Sequence, residues 1–84
     1  MQVTITVPEE LWPRRGDWSG VVVEVYKNKG DRVETGEVIF DIEIEKAVLA
    51  IESPVSGVVV DVYVEKGTEV KPGDRLATIK SEEA

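Results

Sequence analysis

An eighteen-residue segment occurs twice in this chain. Residues 19–36, SGVVVEVYKNKGDRVETG, lie over residues 56–73, SGVVVDVYVEKGTEVKPG, at a constant offset of 37 with no gap, and eleven of the eighteen positions are identical. Two copies are too few to stack as a solenoid, which needs three or more. Each copy must therefore bury its apolar face against the other, giving one closed domain of two similar halves related by an approximate two-fold axis. With 84 residues, such a domain removes only roughly 60 to 65% of its unfolded surface from water, so one small core is the ceiling.

Both copies read as β-structure. Each has a Ser-Gly entry, a β-branched run, a Lys-Gly turn, a single Val, a second turn at Gly36 or Gly73, and a second strand. In VVVEVY, Val21, Val23 and Val25 alternate with Val22, Glu24 and Tyr26; in VVVDVYV, Val58, Val60, Val62 and Val64 repeat the pattern. Strict alternation predicts one unbroken apolar stripe per strand. The turn KPGD sets Pro72 where φ is fixed near -65° and Gly73 where φ is positive, a type II arrangement, and NKGD and EKGT offer glycine in the same way. No segment has helical periodicity. The expected fold is all-β, a sandwich or flattened barrel of two sheets.

The repeat also locates one lysine. Past the second turn, VIFDIEIEK falls over RLATIKSEE, so Lys46 stands where the second copy runs out into the C-terminal tail. In the first half the chain turns back there, because AVLAIESP is another alternating strand leading into the second copy. Lys46 is thus predicted at the tip of a hairpin, at the opposite end of the domain from the C-terminus. Glu45-Lys46 lacks the Asn-Gly or Asp-Gly chemistry of primed turns, which predicts a type I turn. Taken alone, a tip lysine is a solvated charge paired with Glu43 or Glu45, worth under ~1 kcal/mol. Asp41, Glu43 and Glu45 share a strand face, but alternate strand residues lie about 6.6 Å apart, too far for a tight oxygen cage. An acidic face read by partners is expected there, and no metal.

Composition narrows the chemistry. With no Cys and no His, the chain has no thiolate and lacks the commonest general base and metal ligand. A non-catalytic domain is expected. A formal charge of -7, with Arg14-Arg15 the only basic run, argues against nucleic acid and anionic membranes. The N-terminus has no charged start followed by an apolar stretch, so a cytoplasmic location is expected.

The segment EIEKA, residues 43–47, followed after a short strand by SPVSGVV, resembles the attachment region of the lipoyl (biotinyl/lipoyl-attachment) domains of 2-oxoacid dehydrogenase complexes. These show a Glu, a Ser or Thr, an Asp, the modified Lys and an Ala before a similar SPxxG entry. The likeness runs from about Val3 to Lys80. It implies a barrel-sandwich hybrid over residues 1–80, with repeat halves at about 19–46 and 56–83 and residues 81–84 as tail or linker. It implies covalent lipoate on Lys46, attached by a lipoate ligase or lipoyl transferase. The arm would be acylated by a thiamine-dependent 2-oxoacid decarboxylase, deliver to an acyltransferase core, and be reoxidised by the flavoprotein dihydrolipoamide dehydrogenase. The sulfur chemistry would belong to the cofactor, which suits a chain with neither Cys nor His.

Around Lys46, the resemblance marks Glu43, Ile44, Glu45 and Ala47 as recognition residues. Two depart from the pattern: Glu45 replaces the usual Asp and Ile44 the usual Ser or Thr. Residues 8–20, PEELWPRRGDWSG, replace a loop that is commonly short and rich in glycine and acids. Trp12 and Trp18 there are read either as a lid on the core or, for Trp12, as a partner anchor. Within the same fold class, biotin carriers usually flank their lysine with methionines, where this chain has Glu45 and Ala47. The glycine-cleavage H protein would bring a longer helical C-terminal part, and an unmodified structural hybrid domain would not need a tip lysine. The isolated domain is expected to be a monomer.

Overall fold

The computed structural model describes residues 1–8 and 19–82. Eight strands form it, in chain order β1 (Gln2–Thr6), β2 (Gly20–Val25), β3 (Arg32–Val33), β4 (Val38–Ile44), β5 (Ala47–Glu52), β6 (Gly57–Val62), β7 (Glu69–Val70) and β8 (Arg75–Ser81). They make two antiparallel four-stranded sheets, β1-β8-β6-β3 and β5-β4-β2-β7. The all-β flattened architecture is as the repeat predicts, and no helix occurs among the described residues.

The two-fold relation extends to single hydrogen bonds. Adding 37 carries β2, β3 and β4 onto β6, β7 and β8. Each half lends its shortest strand to the other sheet: Val33 pairs with Gly57 and Val70 with Gly20. The connecting bonds repeat as well. Gly30 N–H donates to Val59 O at 2.7 Å and Gly67 N–H to Val22 O at 2.7 Å, while Tyr26 and Tyr63 donate to Ile39 O and Leu76 O at 2.8 and 2.9 Å. This exchange interlocks the halves, so neither can keep its sheet alone.

The duplication covers more than the eighteen-residue repeat. In the β5-β4-β2-β7 sheet the edge strand is β5, which continues from β4; in the other sheet the equivalent place is filled by β1, from the N-terminus. Phe40 pairs with Ile51 as Ala77 pairs with Ile5, and Asp41 with Ala50 as Thr78 with Thr4. Gly36 N–H donates to Ser53 O and Gly73 N–H to Val7 O, so buried Ser53 and buried Val7 hold matching positions. QVTIT has no visible likeness to VLAIE beyond alternation, which is why the sequence conceals this match.

One expectation about the strands is corrected. The valine stripes are not unbroken: Val22 and Val59 are fully buried, whereas Val21 and Val58 are each 40% exposed. Further along, the half-buried Val25 and Val62 pack on the core. The phase changes because the register shifts between Val22 and Glu24 against β4, and between Val59 and Asp61 against β8. A bulge adds one residue to a strand and so exchanges its faces. Strict alternation cannot anticipate that exchange, but the repeat places it identically in both halves.

Four turns, 28–31, 34–37, 65–68 and 71–74, are built alike. In each, the fourth residue's N–H donates to the first residue's carbonyl at 2.9 to 3.0 Å. The side chain of that fourth residue, Asp31, Glu37, Thr68 or Asp74, accepts the first residue's N–H. The third position has φ between 87 and 96° and is glycine every time, since only glycine takes that conformation without cost. The core between the sheets includes Val22, Val33, Ile39, Phe40, Ile42, Val59, Val70, Leu76 and Ile79, all at most 1% exposed.

Candidate functional site

Strands β4 and β5 form a hairpin whose last pair is Ile44 with Ala47, leaving Glu45 and Lys46 as a two-residue turn. Lys46 therefore lies at the tip, as the repeat predicts. The far end of the hairpin is the pair Val38 with Glu52. Just beyond it, Glu82 N–H donates to Ser56 O at 3.0 Å, which puts the C-terminal residues at the end away from the tip. The six residues of β5 put its two ends five steps apart, about 17 Å at the usual rise.

The turn type differs from expectation. A type I turn keeps both central φ values negative, but Glu45 has φ of 54° and Lys46 does not share the positive sign. Positive φ at the first central residue alone is the sign pattern of a II′ turn, whose twist matches that of the flanking strands. Two-residue closure of a tight hairpin thus overrides the local preference of glutamate.

Strand alternation sorts the flanking residues. Glu43, Glu45, Lys46, Ala47 and Val48 are exposed, whereas Ile42 is buried. Ile44 is half-buried and packs against the core. The space it uses is supplied by Gly20, where a Cβ would come within 2.7 Å of Ile42 Cγ2 and 3.0 Å of Ile44 Cγ1. Of the five recognition candidates, the structure gathers Glu43, Glu45 and Ala47 on the solvent side of the tip and turns Ile44 inward. Trp12 lies outside the described residues, as do Trp18, Arg14 and Arg15.

The charges at the tip are free of one another. Among the described residues, neither Glu43, Glu45 nor Lys46 takes part in an ion pair or side-chain hydrogen bond, so the pairing that a merely solvated tip lysine would make with a neighbouring glutamate does not form. Asp41 is different, because it accepts the Tyr26 hydroxyl at 2.5 Å. That bond favours the neutral phenol and, with some desolvation and the nearby charges of Asp41 and Glu24, holds Tyr26 above its ordinary pKa of 10.0. The motif SPVSG is accounted for by structure: Ser53, 2% exposed, donates to Val55 O at 2.5 Å and exchanges backbone bonds with Gly36 and Glu37.

The signal that sequence reasoning missed is the partner of the tip in the other half. Adding 37 to Ile44 gives Ser81, whose N–H donates to Met1 O at 2.8 Å. The pair Ser81 and Met1 thus matches Ile44 and Ala47, but no turn joins them. The two-fold is broken at one place on each sheet's end, and Lys46 marks the closed one.

A family described as "Biotin-requiring enzyme", the biotin/lipoyl family, matches residues 13–79. Among solved structures, the Kluyveromyces lactis urea carboxylase superposes with a TM-score of 0.77 at 22% identity, covering 95% of this chain and 6% of that one. A single-chain, multi-domain long-chain acyl-CoA carboxylase gives 0.77 at 22% identity, covering 99% of this chain and 7% of that one. The lipoyl domain of the 2-oxoglutarate dehydrogenase complex from Azotobacter vinelandii gives 0.72 at 26% identity, covering 94% and 96%. This chain therefore spans a small part of the two carboxylases and nearly all of the lipoyl domain. No curated protein matches the sequence. With the family matched over well more than half its length and the fold shared with such domains, the chain belongs to the biotin/lipoyl family and is an attachment-type carrier domain.

Proposed function

We propose that Lys46 carries lipoate in amide linkage and that the chain serves as the swinging-arm domain of a 2-oxoacid dehydrogenase type complex. The observation that carries this reading is the position of Lys46, exposed and without an ion-pair partner among the described residues, on a two-residue turn at the end of the sandwich remote from the C-terminal residues. The tip meets the needs of such an attachment. Among the described residues its amine is held by no carboxylate, and strand pairing up to Ile44 and Ala47 fixes the turn against the core. Amide formation joins Nζ to the lipoyl carboxyl with the overall loss of water, the ligase carrying off the carboxyl oxygen, and it removes one positive charge from the chain, which at an exposed tip costs no buried partner. The bound group would supply a dithiolane for acyl and electron transfer; the chain's own residues position it and present Glu43, Glu45 and Ala47 to the enzymes that act on it. The near-complete mutual coverage with a lipoyl domain favours lipoate. The partners in this reading are a lipoate ligase or transferase, a thiamine-dependent decarboxylase, an acyltransferase core and dihydrolipoamide dehydrogenase.

Biotin is the second reading, favoured by the two carboxylases that superpose at 0.77. Co-expression with a lipoate ligase and, separately, with a biotin ligase decides between them by intact mass. A lipoyl-sized gain lost in Lys46→Arg is expected. A biotin-sized gain alone would transfer the reading to the second cofactor, and no gain on a folded chain would refute both.

A further inference from the structure

Strand β5 ends its sheet with one side open: among the described residues only β4 pairs with it. Ser53, just past its end, exchanges backbone bonds with Gly36 and Glu37, so by alternation Ala47, Leu49 and Ile51 bond inward to β4. The N–H and C=O groups of Val48, Ala50 and Glu52 therefore line the free edge. Proteins commonly blunt such an edge with a charge, a proline or a bulge. From Ala47 to Ile51 this strand has neither charge nor proline, and the register shift at its far end puts the extra residue in β4. Val48 is 59% exposed, and Leu49 is only half-buried.

The uncharged stretch is bracketed by opposite charges. Lys46 and Glu52 lie three residues either side of Leu49, both exposed, and neither has an ion-pair partner among the described residues. An antiparallel copy of the strand laid along the edge about a two-fold axis at Leu49 sets Val48 opposite Ala50 and Lys46 opposite Glu52, each twice. Like charges are kept apart and opposite charges meet, which is the favourable cross-strand arrangement. The matching edge strand β1 lacks this pattern, because it has Thr6 where β5 has Glu52, and Gln2 and Thr4 where β5 has Val48 and Ala50.

We propose that the free edge of β5 is a docking surface for a second copy of this chain, which pairs with it antiparallel and joins Lys46 of each copy to Glu52 of the other. The interface is isologous and closes at two chains. It is also small, and a net charge of -7 on each copy opposes it, so the dimer is weak and the expected monomer is the dilute state. Amide formation at Lys46 removes the charge that Glu52 meets and so favours the monomer; that consequence rests on the reading above, whereas the association does not.

Sedimentation of the purified, unmodified chain from about 10 μM to about 1 mM tests the proposal, with a monomer–dimer Kd of about 0.1 mM expected. Lys46→Glu and Glu52→Lys each place like charges at both contacts, and each is expected to raise Kd about tenfold. A net-charge effect would act differently, weakening the first variant and strengthening the second. The doubly exchanged chain, Lys46→Glu with Glu52→Lys, is expected to return to within about threefold of the wild-type Kd. Ala50→Pro, which removes an edge N–H but none that bonds β4, is expected to keep the far-UV circular dichroism of the fold and to remain monomeric throughout. Should that variant fail to fold, the charge exchange decides alone. A wild type that is monomeric at every concentration leaves the edge to some other extended segment and overturns the proposal. So does a dimer that the single exchanges leave intact, or one that the double exchange does not restore.

Discussion

The two sheets are copies in backbone and opposites in surface. Across the outer face near the tip, the paired residues run Glu69, Val21, Glu43, Val48. The equivalent row on the other sheet runs Arg32, Val58, Lys80, Gln2. One hydrogen-bond pattern thus supports an acidic row with exposed valines in the half that has the closed turn, and a basic row in the half whose matching pair, Ser81 and Met1, is not joined by a turn. Arg32 is further engaged by Glu34 at 3.0 Å and by Glu82, whereas Glu43 has no such partner among the described residues. Register, bulges and glycine turns are what the duplicated backbone requires and are kept in both halves. Charge and loop closure are free to diverge, and they diverge where the candidate function is.

The sharpest break in that symmetry inside the molecule is at Phe40, whose mate is Ala77; both are fully buried. The core is filled by one large and one small residue at equivalent sites. Phe40→Ala is expected to cost about 3–5 kcal/mol in urea unfolding, a large share of the stability of so small a domain. Next comes the pair of entry glycines. A Cβ at Gly57 would lie 2.0 Å from the Lys80 carbonyl oxygen, whereas at Gly20 the nearest atom is the Ile42 Cγ2 at 2.7 Å. Backbone yields less readily than a side-chain end. Gly57→Ala should therefore cost about 3 kcal/mol or more and Gly20→Ala about 1–2 kcal/mol, and equal costs would show that the halves are less rigidly alike than the register implies.

The same comparison explains how much could be read in the sequence. The identity of residues 19–36 and 56–73 fixes two halves, their turns and the tip at Lys46, because turn glycines and β-branched runs impose the same backbone wherever they recur. The bulges at Val23 and Val60 were hidden, since a single inserted residue leaves the alternation of letters intact while exchanging faces. The match of β1 with β5 was hidden as well, because edge strands tolerate different side chains on one hydrogen-bond frame. At the site, Glu43, Glu45 and Ala47 fall where strand parity puts them. The positive φ of Glu45 and the inward turn of Ile44 depend on hairpin closure and on the space over Gly20, which no local preference of Glu or Ile records.

Smaller effects should follow from charges that one half has and the other lacks. Glu37 and Asp74 occupy equivalent turn positions, but only Glu37 is paired with a lysine, Lys27 at 3.0 Å, where the other half has Val64. The N–H of Glu34, followed by Lys27, holds the Glu37 carboxyl below its ordinary 4.5. A depressed carboxyl pKa stabilises the fold above the unfolded value and loses that contribution as pH falls through the folded one. The Tm difference between wild type and Glu37→Gln should be present at pH 7, shrink as pH falls below 4.5, and vanish once the folded carboxyl is protonated. Tyr26 has the opposite sign: its raised pKa favours the fold below 10.0, and the contribution disappears as pH rises through the folded value. Absorbance titration of Tyr63→Phe should show the remaining Tyr26 ionising above 10.0.

The central claim is that one lysine of six, the one at the turn that the second half does not repeat, receives the carrier group. Peptide mapping by tandem mass spectrometry of the chain co-expressed with a lipoate ligase tests it most directly. The account predicts a single lipoyl group on Lys46 and an unmodified Lys46→Arg variant. A lipoyl group on Lys27, Lys29, Lys66, Lys71 or Lys80, or a gain in mass that survives Lys46→Arg, would contradict it.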